Sequence, residues 1–425
     1  MRRALFIAML GAACWNGEGA LHKPCAKDRQ CGDGQSCIDG YCDGITGRTL
    51  AIAQVTETGF GNATSVVAAQ LTGDEAIDLA VLAFGSGLFV RENTGTAFVP
   101  KGDPYYGNAT DLVDFELADI DGDERLEFMV LSLGGTVEVV ERDDDVFALS
   151  ATLTFPAPIF SLAVVDLVGD DKPDLVVAGT SAVHLVPNEG GRFDDTDVRT
   201  LQGTFSEPWD IVVVGNGPAR RLLLPDSNRQ STNGATNQRV DVLRVQGDRL
   251  AEDKHLGTRF VNPFGIAVGD FLGDDALEVA VVERHLDGSD PANDLATKQA
   301  GRVRFFRLDL DDVEELATVE IGIGGFSAAA ADLDADGKDD LVLGLTGAPH
   351  QGGGPQQVLF GSVAKQPRPQ DLRTIAIPGP RGVEAGIHLA VADLDGDDRA
   401  EVVIPDYGRD EIEGGARVII VEANE

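Results

Sequence analysis

An acidic pattern recurs between Gln70 and Glu401: an apolar strand runs into a nine-residue turn and out into a second apolar strand. Complete copies read Asp332-Leu-Asp334-Ala-Asp336-Gly337-Lys-Asp-Asp340, Asp393-Leu-Asp395-Gly-Asp397-Asp-Arg-Ala-Glu401 and Asp119-Ile-Asp121-Gly-Asp123-Glu-Arg-Leu-Glu127. Each places carboxylates at turn positions 1, 3, 5 and 9. Three partial copies begin at Gln70, Asp166 and Asp270. The first keeps Asp74 and Asp78, the second Asp166, Asp170 and Asp174, and the third Asp270, Asp274 and Glu278. A seventh copy, residues 213–221, has no acid, yet Ile211-Val212 and Leu222-Leu223-Leu224 preserve its strands. The copies start at 70, 119, 166, 213, 270, 332 and 393, with spacings of 49, 47, 47, 57, 62 and 61 residues. Such a period specifies one repeat architecture rather than several independent domains.

Each repeat holds further strands. After the turn comes a branched run such as Asp174-Leu-Val-Val-Ala178, then a third strand such as Thr136-Val-Glu-Val-Val140, and often a fourth such as Leu149–Phe155. Runs of this length, rich in Val, Leu and Ile and punctuated by Gly, Asp and Pro, are strands. Four strands per unit, seven units and no helical periodicity predict an all-β, seven-bladed β-propeller. The last repeat has strands near 387–391, 402–404 and 416–421 and then the chain stops, one strand short. The otherwise unassigned strand Thr49–Val55 is predicted to pair with residues 416–421 and close the ring, leaving no long open edge.

Four carboxylates within nine residues repel one another unless a cation sits among them, and oxygen-only ligation in a loop suits calcium better than zinc or copper. The complete copies are therefore expected calcium sites and the partial copies weaker ones. The competing expectation is solvated turn acids, since Asp and Gly favour turns in any case. Residues 213–221 have no metal chemistry. An EF-hand is excluded, because that loop closes with Glu at position 12 between helices, whereas these close at position 9 and enter strands.

The N-terminus speaks of export. A basic start, Met1-Arg2-Arg3, an apolar stretch from Ala4 to Ala13 and small residues at 11–13 form a signal segment (1–13), too short to span a bilayer. Leu10-Gly-Ala-Ala-Cys14 resembles a bacterial lipoprotein box with its Leu one position early, so Cys14 is either lipidated or handled by ordinary cleavage. Residues 14–24 form a tether. Cys25, Cys31, Cys37 and Cys42 form a module (25–42) too small to bury a core, for which an oxidising compartment favours two disulfides of unspecified connectivity over zinc. It resembles small Cys-rich modules near the N-termini of myxobacterial surface proteins. Residues 43–48 are a linker, and 49–425 the propeller.

The turn Asp-x-Asp-x-Asp-Gly-x-x-Asp followed by Leu-Val is similar to the FG-GAP or VCBS repeat of integrin alpha-subunit heads and many bacterial secreted proteins. Asp332, Asp334, Asp336 and Asp340 match every acidic position with Gly337 in place. The copies ending in Glu127 and Glu401 depart from it in their longer last side chain and in a Gly at position 4. The resemblance implies a calcium-stabilised propeller used in adhesion or ligand binding; the export signal adds the expectation of a place outside the cytoplasm, as an outer-membrane or cell-surface lipoprotein or as a secreted protein.

With 71 acidic against 34 basic residues the formal charge is −37. Such a surface repels nucleic acid and anionic membrane, so membrane attachment is expected only through lipid on Cys14, and the chain is expected to be a monomer. Long polar insertions at 225–239, 284–301 and 347–357 belong to repeats four, five and six. They share a face with the segments entering the first strands, which carry Phe160, Trp209, Phe264 and Phe326. Two readings stay open for these rings: they grip a protein or carbohydrate ligand, or they wedge between blades. Catalysis finds little support. The six His residues are scattered, no phosphate loop is present, and only His285 and His350 on the insertions suit a rival reading as a secreted enzyme such as a polysaccharide lyase.

Overall fold

The computed structural model describes residues 36–38, 41–43, 49–57, 62–107, 111–143, 145–156, 158–215, 220–227, 238–247, 249–258, 260–272, 276–284, 300–308, 313–333, 338–345, 356–359, 372–375, 385–397, 399–407 and 417–424. Within Leu50–Asn424, seven antiparallel four-stranded sheets form a ring of blades. Blade 1 comprises Ala63–Ala69, Asp78–Ala83, Gly87–Asn93 and Phe98–Pro100. Blade 2 comprises Leu112–Ala118, Glu127–Ser132, Thr136–Asp143 and Val146–Thr154. Blade 3 holds Ile159–Val165, Asp174–Gly179, Ala182–Val186 and Arg199–Gln202, and blade 4 Val212–Val214, Arg221–Asp226, Arg239–Gln246 and Arg249–Leu256. Blade 5 holds Pro263–Gly269, Glu278–Glu283, Ala300–Leu308 and Val313–Ile323, and blade 6 Gly325–Ala331, Asp340–Leu345, Gln356–Leu359 and Leu372–Ile375.

Blade 7 takes three strands from the end of the chain, Ala390–Ala392, Glu401–Pro405 and Arg417–Asn424, and its fourth, Thr49–Glu57, from the beginning. The closure expected from the missing strand is therefore present. The first strand of each blade contacts that of the next, and that of blade 7 contacts that of blade 1. No helix long and apolar enough to cross a membrane occurs among the described residues.

All seven repeat turns join the first and second strands of successive blades, including the acid-free one in blade 4. In six of the blades the second strand is buried at every residue, as in Asp174–Gly179 and Glu401–Pro405, and in blade 4 at every residue but Arg221. These strands lie between two neighbouring blades, so both faces are covered and they read as continuous Val/Leu runs rather than alternating ones. The apolar clusters span pairs of neighbouring blades. Val113, Ile120 and Met129 of blade 2 pack with Leu162, Leu175 and Val177 of blade 3.

The first strand of blade 7 is shorter than expected. Ile387 and His388 donate their backbone N–H groups to Thr64 O of blade 1, and His388 bridges Ser65 in parallel. The chain begins this blade by pairing with its neighbour. Residues Ser36–Ile38 and Tyr41–Asp43 form a separate antiparallel hairpin with Cys37 and Cys42 as backbone partners; Cys14, Cys25 and Cys31 lie outside the described residues.

Candidate functional site

The acids of the turns first serve the backbone. In blade 2, Asp119 at position 1 accepts hydrogen bonds from the N–H groups of Gly122, Asp123 and Glu124 at 2.6–3.2 Å. Asp121 at position 3 accepts from Asp123 N–H at 3.2 Å, and Glu127 at position 9 accepts from Ile120 N–H at 2.9 Å. Blade 7 repeats this with Asp393 and Asp395 on Gly396 and Asp397, and with Glu401 on Leu394 at 2.6 Å. Short polar side chains that hold nearby N–H groups in this way favour turns. The position-9 acids Asp78, Glu127, Asp174, Glu278, Asp340 and Glu401 are all buried, at most 6% exposed. A carboxylate so placed needs donors or a cation.

Blades 2 and 7 gather their acids furthest. Oxygens of Asp119, Asp121 and Glu127 lie within 4.8 Å of one another, as do those of Asp393, Asp395 and Glu401, and either trio can hold a metal ion. Burial, with the neighbouring aspartates behind it, pushes Glu127 and Glu401 up to about 7. The donors are all hard oxygens, which fits a divalent cation of the calcium class. Asp123 stands outside the first trio, and Arg125 Nη2 bonds its carboxylate at 2.7 Å.

The partial turns carry a cation of the protein's own. In blade 1, where Gln70 and Thr72 replace the acids, Asp78 accepts from Leu71 N–H, Thr72 Oγ1 and Asn93 N–H, while Arg142 of blade 2 donates to Leu71 O at 2.7 Å. In blade 3, Arg220 stands 3.9 Å from Asp166 and Lys172 4.0 Å from Asp170; Asp174 accepts from Leu167, Val168 and Asn188 N–H. In blade 5, Arg307 bonds Glu278 at 2.7 Å, and Asp270 N–H donates to Asp339. Asp340 of blade 6 accepts from Leu333 N–H at 2.9 Å, whereas Asp334, Asp336 and Asp274 lie outside the described residues.

On the opposite face, Phe160, Trp209, Phe264 and Phe326 meet in one row across blades 3 to 6. Their centroids are 4.9, 5.7 and 4.5 Å apart in that order. Irregular register near the start of the first strands turns Phe160, Phe264 and Phe326 into this row. Phe160 and Phe264 are buried, Trp209 and Phe326 half-buried, and the Arg284 guanidinium lies 5.8 and 5.4 Å from the Phe264 and Phe326 ring centres. His285, His350 and most of the three insertions lie outside the described residues.

A second cluster, not foreseen from sequence, sits around the axis on the first strand of blade 2 and on the segments that enter the first strands of blades 4 and 7. Five residues before each turn stand Ser65, Asp114, Ser161, Pro208, Gly265, Ser327 and His388. His388 of blade 7 reaches past blade 1 to Asp114 of blade 2, Nε2 to Oδ1 3.3 Å. Glu116 and Asp210, each three residues before a turn, complete the group. Burial alone would lower the His388 imidazole, but Asp114, with Asp210 and Glu116 behind it, overrides this and holds it up at about 10. Burial and then the Asp114 charge push Glu116 up to about 8, and burial raises Asp210 to about 6. The signal was the common offset from the turns, which a search for motifs passes over.

No known family profile matches the chain, and no curated protein matches it in sequence. Solved structures do match in fold. BBS1N, in its complex with ARL6DN, superposes with a TM-score of 0.56 at 13% identity, over 87% of this chain and 96% of that one. The N-terminal domain of Nup159 gives 0.52 at 10% identity, over 89% and 96%. A chain of the S. cerevisiae assembly of Dbp5 with Nup159, Gle1, IP6 and ADP gives 0.51 at 10% identity, over 89% and 96%. Identity this low speaks for the fold alone.

Proposed function

We propose that this chain is a noncatalytic, calcium-stabilised propeller of the FG-GAP/VCBS type, working outside the cytoplasm as an exported protein or lipid-anchored at Cys14. It binds a protein or carbohydrate through the insertion-bearing face. The observation that carries the calcium reading is the convergence of three carboxylates at equivalent turns of blades 2 and 7. Those turns hold the residues that would bind the ion, Asp119, Asp121 and Glu127 in one and Asp393, Asp395 and Glu401 in the other. The ion would neutralise buried charge and tie the turn to the start of the second strand. The partner reading is supported by the row of rings across blades 3 to 6 and by BBS1N, a propeller of similar fold solved with ARL6DN bound.

Thermal unfolding with calcium or with chelator tests the first part. A ligand at about 100 times its Kd stabilises the folded state by about 2.7 kcal/mol. Asp121→Asn combined with Asp395→Asn keeps the acceptor oxygens for Asp123 and Asp397 N–H and removes charge. The expected result is an unchanged melting curve in chelator and a lost calcium shift. Coincident wild-type curves with and without calcium would refute the metal reading. A glycan array and capture on candidate protein ligands, with Trp209→Ala as control, test the second part.

A further inference from the structure

The two turns that gather their acids are gripped in the same way by the blade that follows. Asn188 Nδ2 of blade 3 donates to Ile120 O, position 2 of the blade 2 turn, at 2.7 Å. Asn93 Nδ2 of blade 1 donates to Leu394 O, position 2 of the blade 7 turn, also at 2.7 Å. Asn93 ends the third strand of blade 1 and Asn188 follows that of blade 3 by two residues, and both open the same six-residue pattern: Asn93-x-Gly95-x-x-Phe98 and Asn188-x-Gly190-x-x-Phe193. Their side-chain oxygens brace the hairpin by accepting from Gly95 N–H and Gly191 N–H, each at 2.9 Å. Phe98 packs in the cluster that holds Leu394, and Phe193 in the one that holds Ile120. Gly191, at φ 88°, approaches the turn so closely that a Cβ there would stand 2.7 Å from Asp121 Cβ.

The same asparagines reach back into their own blades. Asn93 N–H donates to Asp78 Oδ1 at 2.8 Å, and Asp78 Oδ2 holds Leu71 N–H at 3.0 Å. Asn188 N–H donates to Asp174 Oδ1 at 3.1 Å, and Asp174 Oδ2 holds Leu167 N–H at 2.7 Å. A continuous path of hydrogen bonds therefore runs from Glu401 through Leu394, Asn93 and Asp78 to Leu71, and another from Glu127 through Ile120, Asn188 and Asp174 to Leu167. The seam between blades 1 and 2 is built differently. There Leu71 O is taken by Arg142, and the turn lacks acids at positions 1 and 3. A neutral donor clamps the acid-rich turn and a cationic donor clamps the acid-poor one.

Resting on the calcium reading, we propose that Asn93 and Asn188 are positioning residues that couple cation occupancy of the blade 7 and blade 2 turns to the seam with the following blade. Neither touches the ion. Each fixes the carbonyl of turn position 2, whose N–H is held by the position-9 ligand, so ordering the turn orders the next blade's turn as well. At blade 7 the coupled seam is the one where the ring closes. Outer-shell partners of metal ligands contribute roughly 10–100-fold in affinity, which sets the scale expected here.

Amide hydrogen exchange on the full chain, in calcium and in chelator, tests this. In the wild type, calcium should slow exchange at Leu394 in the turn and also at Leu71 in the next blade, by roughly tenfold, the lower end of that outer-shell scale. Asn93→Ala should weaken calcium at one site by a similar factor and abolish the effect at Leu71, while Leu167 still responds through Asn188. Asn93→Asp, which keeps the acceptor for Gly95 N–H and so the hairpin, should also abolish the effect at Leu71, separating the lost Nδ2 donor from a misfolded loop. Calcium protection of Leu71 that persists in both variants would overturn the proposal. Protection at Leu394 but not Leu71 in the wild type would overturn the coupling and leave the calcium reading standing, whereas protection at neither would end both.

Discussion

The turns of blades 1 and 2 have the same backbone role and opposite electrostatics. Both join a first strand to a second, both bury a position-9 acid, and both have the carbonyl of position 2 clamped from the following blade. In blade 1 the clamp is Arg142, and uncharged Gln70 and Thr72 replace the acids. In blade 2 the clamp is Asn188, and Asp119 and Asp121 join Glu127 in a three-carboxylate cluster. The difference teaches that negative charge in this ring is balanced in one of two ways, by a cation the chain carries itself or by an arrangement of oxygens suited to one from solution. Arg142, Arg220, Arg307 and axial His388 belong to the first kind.

The largest expected effect distinguishes the two kinds directly. The Arg142 side chain is 5% exposed, bonds Leu71 O at 2.7 Å and lies 5.9 Å from the Phe147 ring centre. Arg142→Met keeps most of the volume and removes the donor. It should cost about 1.5–3 kcal/mol, as expected for a hydrogen bond to a charged group, and equally with and without calcium. Urea unfolding in both conditions checks this, and a loss that calcium restores would erase the distinction.

Next in size is the axis, where His388 supplies the positive charge. Glu116 is held up at about 8 against an ordinary 4.5, so its contribution to stability is complete below pH 4.5 and is lost as pH rises through 8. His388 is held up at about 10 against 6.5, so its contribution is complete below pH 6.5 and fades as pH approaches 10. In chelator, the melting temperature should therefore fall by roughly 2–4 °C between pH 5 and 9 through this cluster. Glu116→Gln should flatten the part between pH 5 and 8. An identical slope in the variant would show that the axial acids do not govern it.

The smallest effect sharpens the contrast within one turn. Arg125, 61% exposed, occupies Asp123 beside the blade 2 trio. Exposed pairs contribute about 0.2–1 kcal/mol, so Arg125→Ala should leave stability nearly unchanged while tightening calcium at that site by up to about fivefold. Calorimetric titration would register the change. Weaker binding in the variant would mean that Arg125 shapes the turn rather than competing for it.

Much of this was legible in the sequence because it depends on local chemistry and period. Seven turns placed by Asp, Gly and flanking Val/Leu runs all fall between first and second strands, and the missing strand of the last repeat is the segment that begins at Thr49. The pattern Asn-x-Gly-x-x-Phe also occurs twice, at 93–98 and 188–193, and its repetition is the local signal for the clamps. What it clamps was not legible. Asn93 and Leu394 are 301 residues apart, and only closure of the ring makes them neighbours.

The sequence by itself determined the number of blades, the seven corners and the residue types able to hold a cation, since turn chemistry and strand periodicity act over a few residues. Only the tertiary structure decided which corners gather their carboxylates, which receive an arginine from next door, and that His388 meets Asp114 across an intervening blade. Those outcomes depend on distances between side chains far apart in the chain, which blade packing sets and local sequence does not encode.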